Sequence, residues 1–163
     1  MKKLRVILST LAITVCLSAC GQGGVTSASL NRVAEPRAAS SKDFGDYVLH
    51  YNSMSTDQLT PSIAQEYNIK RGKNRAMLTV SIIKKTEDPT GVSVPGTVTA
   101  TAYNLTGQVK NLNIRQISDG DAFYYVGDVS VAKSETLVFD IEAIPVNGTH
   151  PLALRFTRQY LWD

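Results

Sequence analysis

Hydrophobic and polar residues alternate along several short stretches between residues 43 and 163. In RAMLTVSII, the apolar residues Leu78, Val80 and Ile82 fall on one side of an extended chain, with Thr79 and Ser81 on the other. The same alternation places Leu137, Phe139 and Ile141 inward in ETLVFDIEAI, and Leu152, Leu154 and Phe156 inward in PLALRFTRQY. A period of two residues is typical of a β-strand with one buried face.

Turn-forming dipeptides separate the predicted strands at Thr106-Gly107, Asp119-Gly120 and Asn147-Gly148. Each pair contains a residue that tolerates a positive φ angle, as tight hairpins require. The remaining strands are predicted in TVTATAYNL, KNLNIRQI and FYYVGDVSV. We therefore expect an all-β fold, an antiparallel, immunoglobulin-like β-sandwich of about seven strands with one short helix after the first strand.

The predicted helix lies in TPSIAQEYNI, residues 60–69, which does not follow the strand pattern. Thr60 suits the N-cap position and Pro61 suits the first helical position. Ile63 and Tyr67 then fall at helical spacing. The pattern predicts a short helix between the first strand, residues 47–51, and the second.

The first residues of the chain have the composition of an export signal. MKKLR is basic, and the stretch from Val6 to Leu17 is apolar but shorter than the about 20 residues that span a bilayer as a helix. The following L-S-A-C-G resembles the lipobox of bacterial lipoproteins, which implies cleavage before Cys20 and lipidation of its sulfur. The alternative is an ordinary secreted protein in which Cys20 is incidental.

Three segments follow from this interpretation. We predict a lipoprotein signal peptide over residues 1–19, the lipidated cysteine and a flexible tether over residues 20–42, and the β-sandwich domain over residues 43–163. The tether is rich in Gly, Ser and Ala and has no apolar period. By resemblance to lipoproteins of enteric-type bacteria, Gly21 favours sorting to the outer membrane, with the domain facing the periplasm.

The charge of the chain argues against one class of partner. The chain has 17 Lys and Arg against 14 Asp and Glu, a formal net charge of +3. Lys2, Lys3 and Arg5 lie in the predicted signal peptide, and removing these three from 17 leaves 14 basic against 14 acidic residues. Because a neutral domain gives no electrostatic basis for binding nucleic acid, we expect no nucleic-acid partner.

The residue pattern indicates no catalytic, metal or cofactor site. Of the two cysteines, Cys16 lies in the predicted signal peptide and Cys20 is the predicted lipid anchor. The only histidines, His50 and His150, are too few for the three or four ligands of a zinc site. GVSVPG departs from the hydrolase pattern G-x-S-x-G at Pro95. We therefore expect a protein that is not an enzyme and has no metal and no cofactor.

The densest charged stretch is IKRGKNR, residues 69–75. Its cations and one amide, with two tyrosines close in sequence, form the candidate binding set: Tyr51, Tyr67, Lys70, Arg71, Lys73, Asn74 and Arg75. Arginine can hold a phosphate or carboxylate in a bidentate manner, and the tyrosines would line a shallow groove. The alternative is a solvated turn between the helix and the next strand, as most charge runs are.

Several short blocks occur in an order that resembles the DUF4426 family of small exported bacterial proteins. The blocks are FGDYVLHYN, TDQLTP-x-x-A-x-x-Y, KRGKNRAMLTVSI, YNLTGQ and GDAFYYVG. The resemblance covers nearly all of residues 43–163. It implies a periplasmic β-sandwich, and it assigns no catalytic residues because the family's function is not established.

Two functions follow as expectations. The first is a lipid-anchored, non-catalytic interaction module in the periplasm, whose partners are the membrane, through the lipid anchor, and an envelope protein. The alternative is a protein that binds an envelope glycan or a phospho-ligand through the basic cluster of residues 70–75. A fold class alone does not decide between them.

Overall fold

A computed structural model of the chain describes residues 40–162. Ten strands form within this range: β1 (Ser41–Asp43), β2 (Tyr47–Ser55), β3 (Arg75–Lys84), β4 (Val92–Ser93), β5 (Gly96–Asn104), β6 (Val109–Lys110), β7 (Arg115–Asp119), β8 (Ala122–Ser130), β9 (Glu135–Pro145) and β10 (Leu152–Tyr160). Strands β1, β4 and β6 have only two or three residues each. The other seven strands match the number predicted from the alternation pattern.

The strands form two antiparallel sheets. Sheet A has the order β1-β2-β3-β8-β7, and β4 pairs with the C-terminal end of β3. Sheet B has the order β10-β9-β5-β6. The predicted all-β sandwich is therefore confirmed.

The core lies between the two sheets. Leu78, Val80 and Ile82 of β3 and Leu137 and Phe139 of β9 have no exposed surface, as their alternation predicts. Burying one such side chain contributes about 1.5–3 kcal/mol to folding. All these core residues lie within residues 40–162.

The helix α1 (Pro61–Glu66) is shorter than the predicted stretch. Thr60 is the N-cap, and its hydroxyl accepts a hydrogen bond from the Ile63 amide at 3.4 Å. The helix ends early because Asn68 adopts a positive φ of 49°. The chain then turns Ile69 into a small apolar cluster on the outer face of sheet A, with Met77 and Val126.

Two strand boundaries differ from the sequence prediction. Strand β2 continues to Ser55 instead of ending at Tyr51. Strand β1 begins at Ser41, two residues before the predicted domain start at Asp43. All three side chains of β1 are exposed, so this strand carries no hydrophobic pattern and is held by its backbone pairing with β2.

The predicted turns contain the expected positive φ angles, at Gly107 (82°), Gly120 (55°) and Asn147 (62°). The predicted signal peptide, the predicted lipidation at Cys20 and the tether up to residue 39 lie outside the described residues. Within residues 40–162, no helix has the length and apolar character needed to cross a membrane.

Candidate functional site

The basic cluster of residues 70–75 does not converge on one binding site. The Arg75 guanidinium forms an ion pair with Asp128 of the neighbouring strand β8. The Arg71 guanidinium donates a hydrogen bond to the carbonyl oxygen of Asp57 at 2.9 Å. Both arginines therefore already have partners within the fold.

A single buried hydroxyl holds the loop that carries the cluster. Thr56 is fully buried, and its Oγ1 lies 3.0 Å from the Lys70 carbonyl and 3.1 Å from the Gly72 carbonyl. The same oxygen accepts a hydrogen bond from the Gly72 amide at 3.0 Å. The side chains of Lys70, Lys73 and Asn74 remain exposed on this loop.

The two candidate tyrosines lie on opposite faces of sheet A. Tyr67 packs against the outer-face cluster that contains Ile69 and Met77. Tyr51 faces the sandwich interior, where its ring centroid lies 4.8 Å from that of Phe156. The structure therefore does not bring the candidate set together in one groove.

A different region forms the main cleft, with a volume of about 1050 Å³. The cleft extends along β2 and reaches across its edge to the C-terminal end of β10. Among the candidate residues, only Tyr51 lines it. The other lining side chains include His50, Asn52, Gln58, Tyr124, Arg158 and Tyr160.

The outer wall of the cleft is a row of polar side chains on adjacent strands. His50 of β2 lies opposite Ser81 of β3, and Asn52 lies opposite Thr79. Tyr124 of β8 lines the same wall and is 37% exposed. Directly opposed residues on antiparallel strands stand about 5 Å apart, so these groups present a continuous polar surface.

A buried hydrogen bond of Tyr160 connects β10 to β2 on the inner side of sheet A. The hydroxyl of buried Ser53 donates to the Met77 carbonyl at 2.8 Å. The Tyr160 hydroxyl therefore donates to the Ser53 oxygen, at 2.5 Å. Burial raises the pKa of Tyr160 from 10.0 to about 12, and the nearby positive charge of Arg158 opposes this rise.

Arg158 gives the cleft a positive charge. Its Nη2 donates a hydrogen bond to the Asn52 side-chain oxygen at 3.1 Å, across the edge of β2. Among residues 40–162, the cleft lining contains no Asp or Glu that would neutralise this guanidinium. The cleft therefore suits neutral polar or anionic groups better than cations.

Within residues 40–162, part of β2 has no strand paired with one of its edges, and we call this stretch the open edge of β2. Strand β1 pairs only with residues 48–50, and the Tyr51 amide donates to the Ser40 carbonyl at 2.8 Å. Backbone groups of alternate residues point to the same side of a strand. The backbone groups of Ser53 and Ser55 therefore point to the side on which no described strand pairs with them.

The described lining of this cleft carries mainly hydroxyl, amide, imidazole and guanidinium groups. His50 lies opposite Ser81 on the neighbouring strand β3, and no carboxylate lines the cleft among residues 40–162. Nowhere in residues 40–162 do three or more His, Cys, Asp or Glu side chains come close enough to hold a metal ion. Ser93, of the GVSVPG stretch, accepts a hydrogen bond from the Phe123 amide at 2.9 Å.

Sequence reasoning missed Arg158 and Tyr160, although a signal for them was present. The alternation that places Leu152, Leu154 and Phe156 inward continues to Arg158 and Tyr160. An arginine at an inward position of a strand is unusual and marks a place where the sandwich opens. Tyr124, in contrast, lies in the FYY stretch, where the alternation predicts that one of its aromatic residues is exposed.

Comparison with known proteins identifies relatives of this chain. The family described as "Domain of unknown function (DUF4426)" matches residues 41–163. A crystal structure of a DUF4426 family protein from Pseudomonas aeruginosa PAO1 is 28% identical, with a TM-score of 0.64, and the match covers 76% of this chain and 94% of that chain.

A second solved structure has a similar fold. It is FetP from uropathogenic E. coli strain F11, with 13% identity and a TM-score of 0.52 over 74% of this chain and 92% of that chain. At this level of identity the match shows the fold alone. No curated protein matches the chain in sequence.

Proposed function

This chain belongs to the DUF4426 family, and from that premise we propose that it is a lipid-anchored, non-catalytic interaction module of the bacterial envelope. Its partner is an envelope protein, and the partner contributes an extended segment that pairs with the open edge of β2. The basic-then-apolar leader and the lipobox-like L-S-A-C-G support the anchor at Cys20. Gly21 supports an outer-membrane location facing the periplasm.

The open edge of β2 inside the main cleft carries this proposal. The backbone groups of Ser53 and Ser55 point into a space of about 1050 Å³. An extended peptide that enters this space would add a strand to sheet A beside β2. Main-chain hydrogen bonds supply the affinity in this mode of recognition, and side-chain pockets supply the specificity.

Two of the other edge strands, β10 and β7, are protected against such pairing. Strand β10 carries Arg155 and Arg158, and strand β7 carries Arg115 and Asp119. Charged side chains on edge strands are a common means of preventing association. The stretch from Tyr51 to Ser55, in contrast, reads Tyr-Asn-Ser-Met-Ser and has no charge.

The chemistry of the cleft also restricts the partner. Arg158 favours an acidic side chain in the added segment, since within residues 40–162 no carboxylate in the lining competes for it. The hydroxyl and amide groups of Ser81, Thr79 and Asn52 suit a polar segment. The proposed partner therefore presents an extended, polar segment with at least one acidic residue.

Crosslinking in cells tests this proposal. A photo-reactive residue replaces Gln58, which is exposed and lines the cleft. The test variant is Ser55→Pro, because Ser55 has a φ of −64° that proline adopts without strain. Proline removes the amide that points to the open edge, whereas the matched control Ser55→Ala keeps it. Both variants are expected to fold with a stability within about 1 kcal/mol of the parent.

We expect a discrete protein adduct that persists in Ser55→Ala and falls about ten-fold in Ser55→Pro, since a main-chain hydrogen bond contributes about 1 kcal/mol and the ring also blocks the approach. Equal adducts in the two variants would overturn strand pairing. A glycan or phospholipid adduct in place of protein would overturn the protein partner and support the alternative.

A further inference from the structure

One end of the sandwich gathers exposed cations from two loops. Strand β8 ends at Ser130 and β9 begins at Glu135, so the loop between them joins the two sheets at this end. The Val131 amide donates to the Asn74 carbonyl at 2.9 Å, which sets this loop beside the loop of residues 70–75. We define the cationic end by its four exposed cations, which are Lys70, Arg71, Lys73 and Lys133.

These charges are not balanced locally. Lys110 and Glu135 pair at 2.7 Å at this end, and Arg75 pairs with Asp128, so those four charges cancel. Lys70, Lys73 and Lys133 form no ion pair within residues 40–162. Among the described residues that connect strands at this end, the remaining carboxylates are Glu66 of α1 and Asp57, whose backbone carbonyl binds Arg71.

Large apolar side chains are exposed at the same end. Leu105, at the tip of the β5–β6 hairpin, is 73% exposed, and Leu161, directly after β10, is 68% exposed. The hairpin stands beside the β8–β9 loop, because the Asn104 side chain donates to Glu135 at 3.3 Å. Exposed leucines next to exposed lysines are the composition of surfaces that lie on membranes.

The opposite end of the domain has the opposite charge. Its turns carry five carboxylates besides the Asp43–Lys85 ion pair: Asp46, Glu87, Asp88, Asp119 and Asp121. Lys85 is paired with Asp43, so Lys84 at the end of β3 is the remaining lysine beside these turns among the described residues. The domain is therefore dipolar although its net charge is close to zero, and an anionic surface would orient it.

We propose that the cationic end docks on an anionic phospholipid bilayer. The lysines contact lipid phosphates, and Leu105 and Leu161 enter the headgroup region. The direction of β1 is consistent with this orientation. Ser41 lies opposite His50 and Asp43 opposite Val48, so β1 runs away from the cationic end. The chain therefore enters β1 from the side of the cationic end, which is the side that the proposed lipid anchor would hold near the bilayer. The docking does not depend on the proposed strand pairing at β2.

Vesicle sedimentation tests the docking with a fragment of residues 36–163, which includes every described core residue and lacks Cys20. Binding to phosphatidylglycerol vesicles is compared with binding to phosphatidylcholine vesicles. The test variant is Lys73→Gln, and the matched control is Lys84→Gln, an exposed lysine at the opposite end. Each cation close to an anionic surface contributes about a five-fold gain in binding.

We expect Lys73→Gln to weaken binding to phosphatidylglycerol about five-fold and the triple change of Lys70, Lys73 and Lys133 to Gln to weaken it about a hundred-fold. Lys84→Gln is expected to have no effect, and Leu105→Ser is expected to weaken binding even at high salt. Equal losses in Lys73→Gln and Lys84→Gln would overturn the docking surface. Full competition by soluble glycerol phosphate, or no binding to phosphatidylglycerol at all, would overturn a bilayer as the ligand.

Discussion

The buried phenol of Tyr160 makes the stability of the domain depend on pH in the alkaline range. Its pKa is about 12 in the folded protein, against 10.0 for an ordinary tyrosine, mainly because burial disfavours the phenolate. Because the folded-state pKa is raised, the stabilisation is complete below about pH 10 and is lost as the pH rises towards about 12. The unfolded chain releases the proton first in this range, so unfolding becomes more favourable.

The size of this effect follows from the shift of the pKa. Two pKa units correspond to about 2.7 kcal/mol, and at about pH 11 half of this, about 1.4 kcal/mol, is already lost. The variant Tyr160→Phe removes the ionisable group and its hydrogen bond with Ser53. It should cost about 0.5–1.5 kcal/mol at neutral pH, and this cost should shrink as the pH rises above about 10.

Urea unfolding at a series of pH values measures both quantities. Trp162, the one tryptophan of the chain, packs against the core and reports unfolding by its fluorescence. The comparison with Tyr160→Phe cancels the titration of the lysines, which both proteins share. If the two proteins lose stability in parallel between about pH 9 and about pH 12, the reasoning from burial of this phenol is refuted.

Two further predictions concern contacts that shape the domain. Thr56→Val should destabilise the fold by about 1–3 kcal/mol in urea unfolding, because it leaves the Gly72 amide without its partner, while Thr56→Ser should retain most of the stability. Gly127→Ala should cost about 1–3 kcal/mol in the same assay, because an added Cβ would lie 3.0 Å from the Asn113 backbone oxygen and 2.8 Å from the Cδ1 atoms of both Ile114 and Leu112. A cost below about 0.5 kcal/mol for either change would contradict the packing described here.

The strands with one buried face were predictable because their signal is local. The alternation in β3, β9 and β10 records which side of each strand contacts the other sheet, and this needs no knowledge of the partner strand. Strand β1 gave no such signal, since its side chains are all exposed and its pairing uses only backbone groups. The end of helix α1 was also hard to predict, because the positive φ of Asn68 that ends it accompanies the packing of Ile69 into the outer-face cluster.

The candidate site was harder to predict than the fold, because its residues come from distant parts of the chain. Arg75 belongs to the densest charge run, but Asp128, far along the sequence, neutralises it. Arg158 lies outside any dense run of charge, yet it carries the charge of the main cleft. The density of charge along a sequence therefore says little about where charge remains free in the folded domain.

The two proposed surfaces meet at the C-terminal end of β2. The most informative test is therefore whether one variant can impair one surface and leave the other intact. The Ser55 hydroxyl donates to the Lys73 carbonyl at 3.5 Å, so the open edge of β2 adjoins the cationic end directly. A segment bound along β2 would therefore lie close to the bilayer when the domain is docked. If the surfaces act separately, Ser55→Pro reduces the protein adduct and leaves vesicle binding intact, and Lys73→Gln does the reverse. If each variant impairs both, the edge and the cations form one surface, and the partner segment binds only at the membrane.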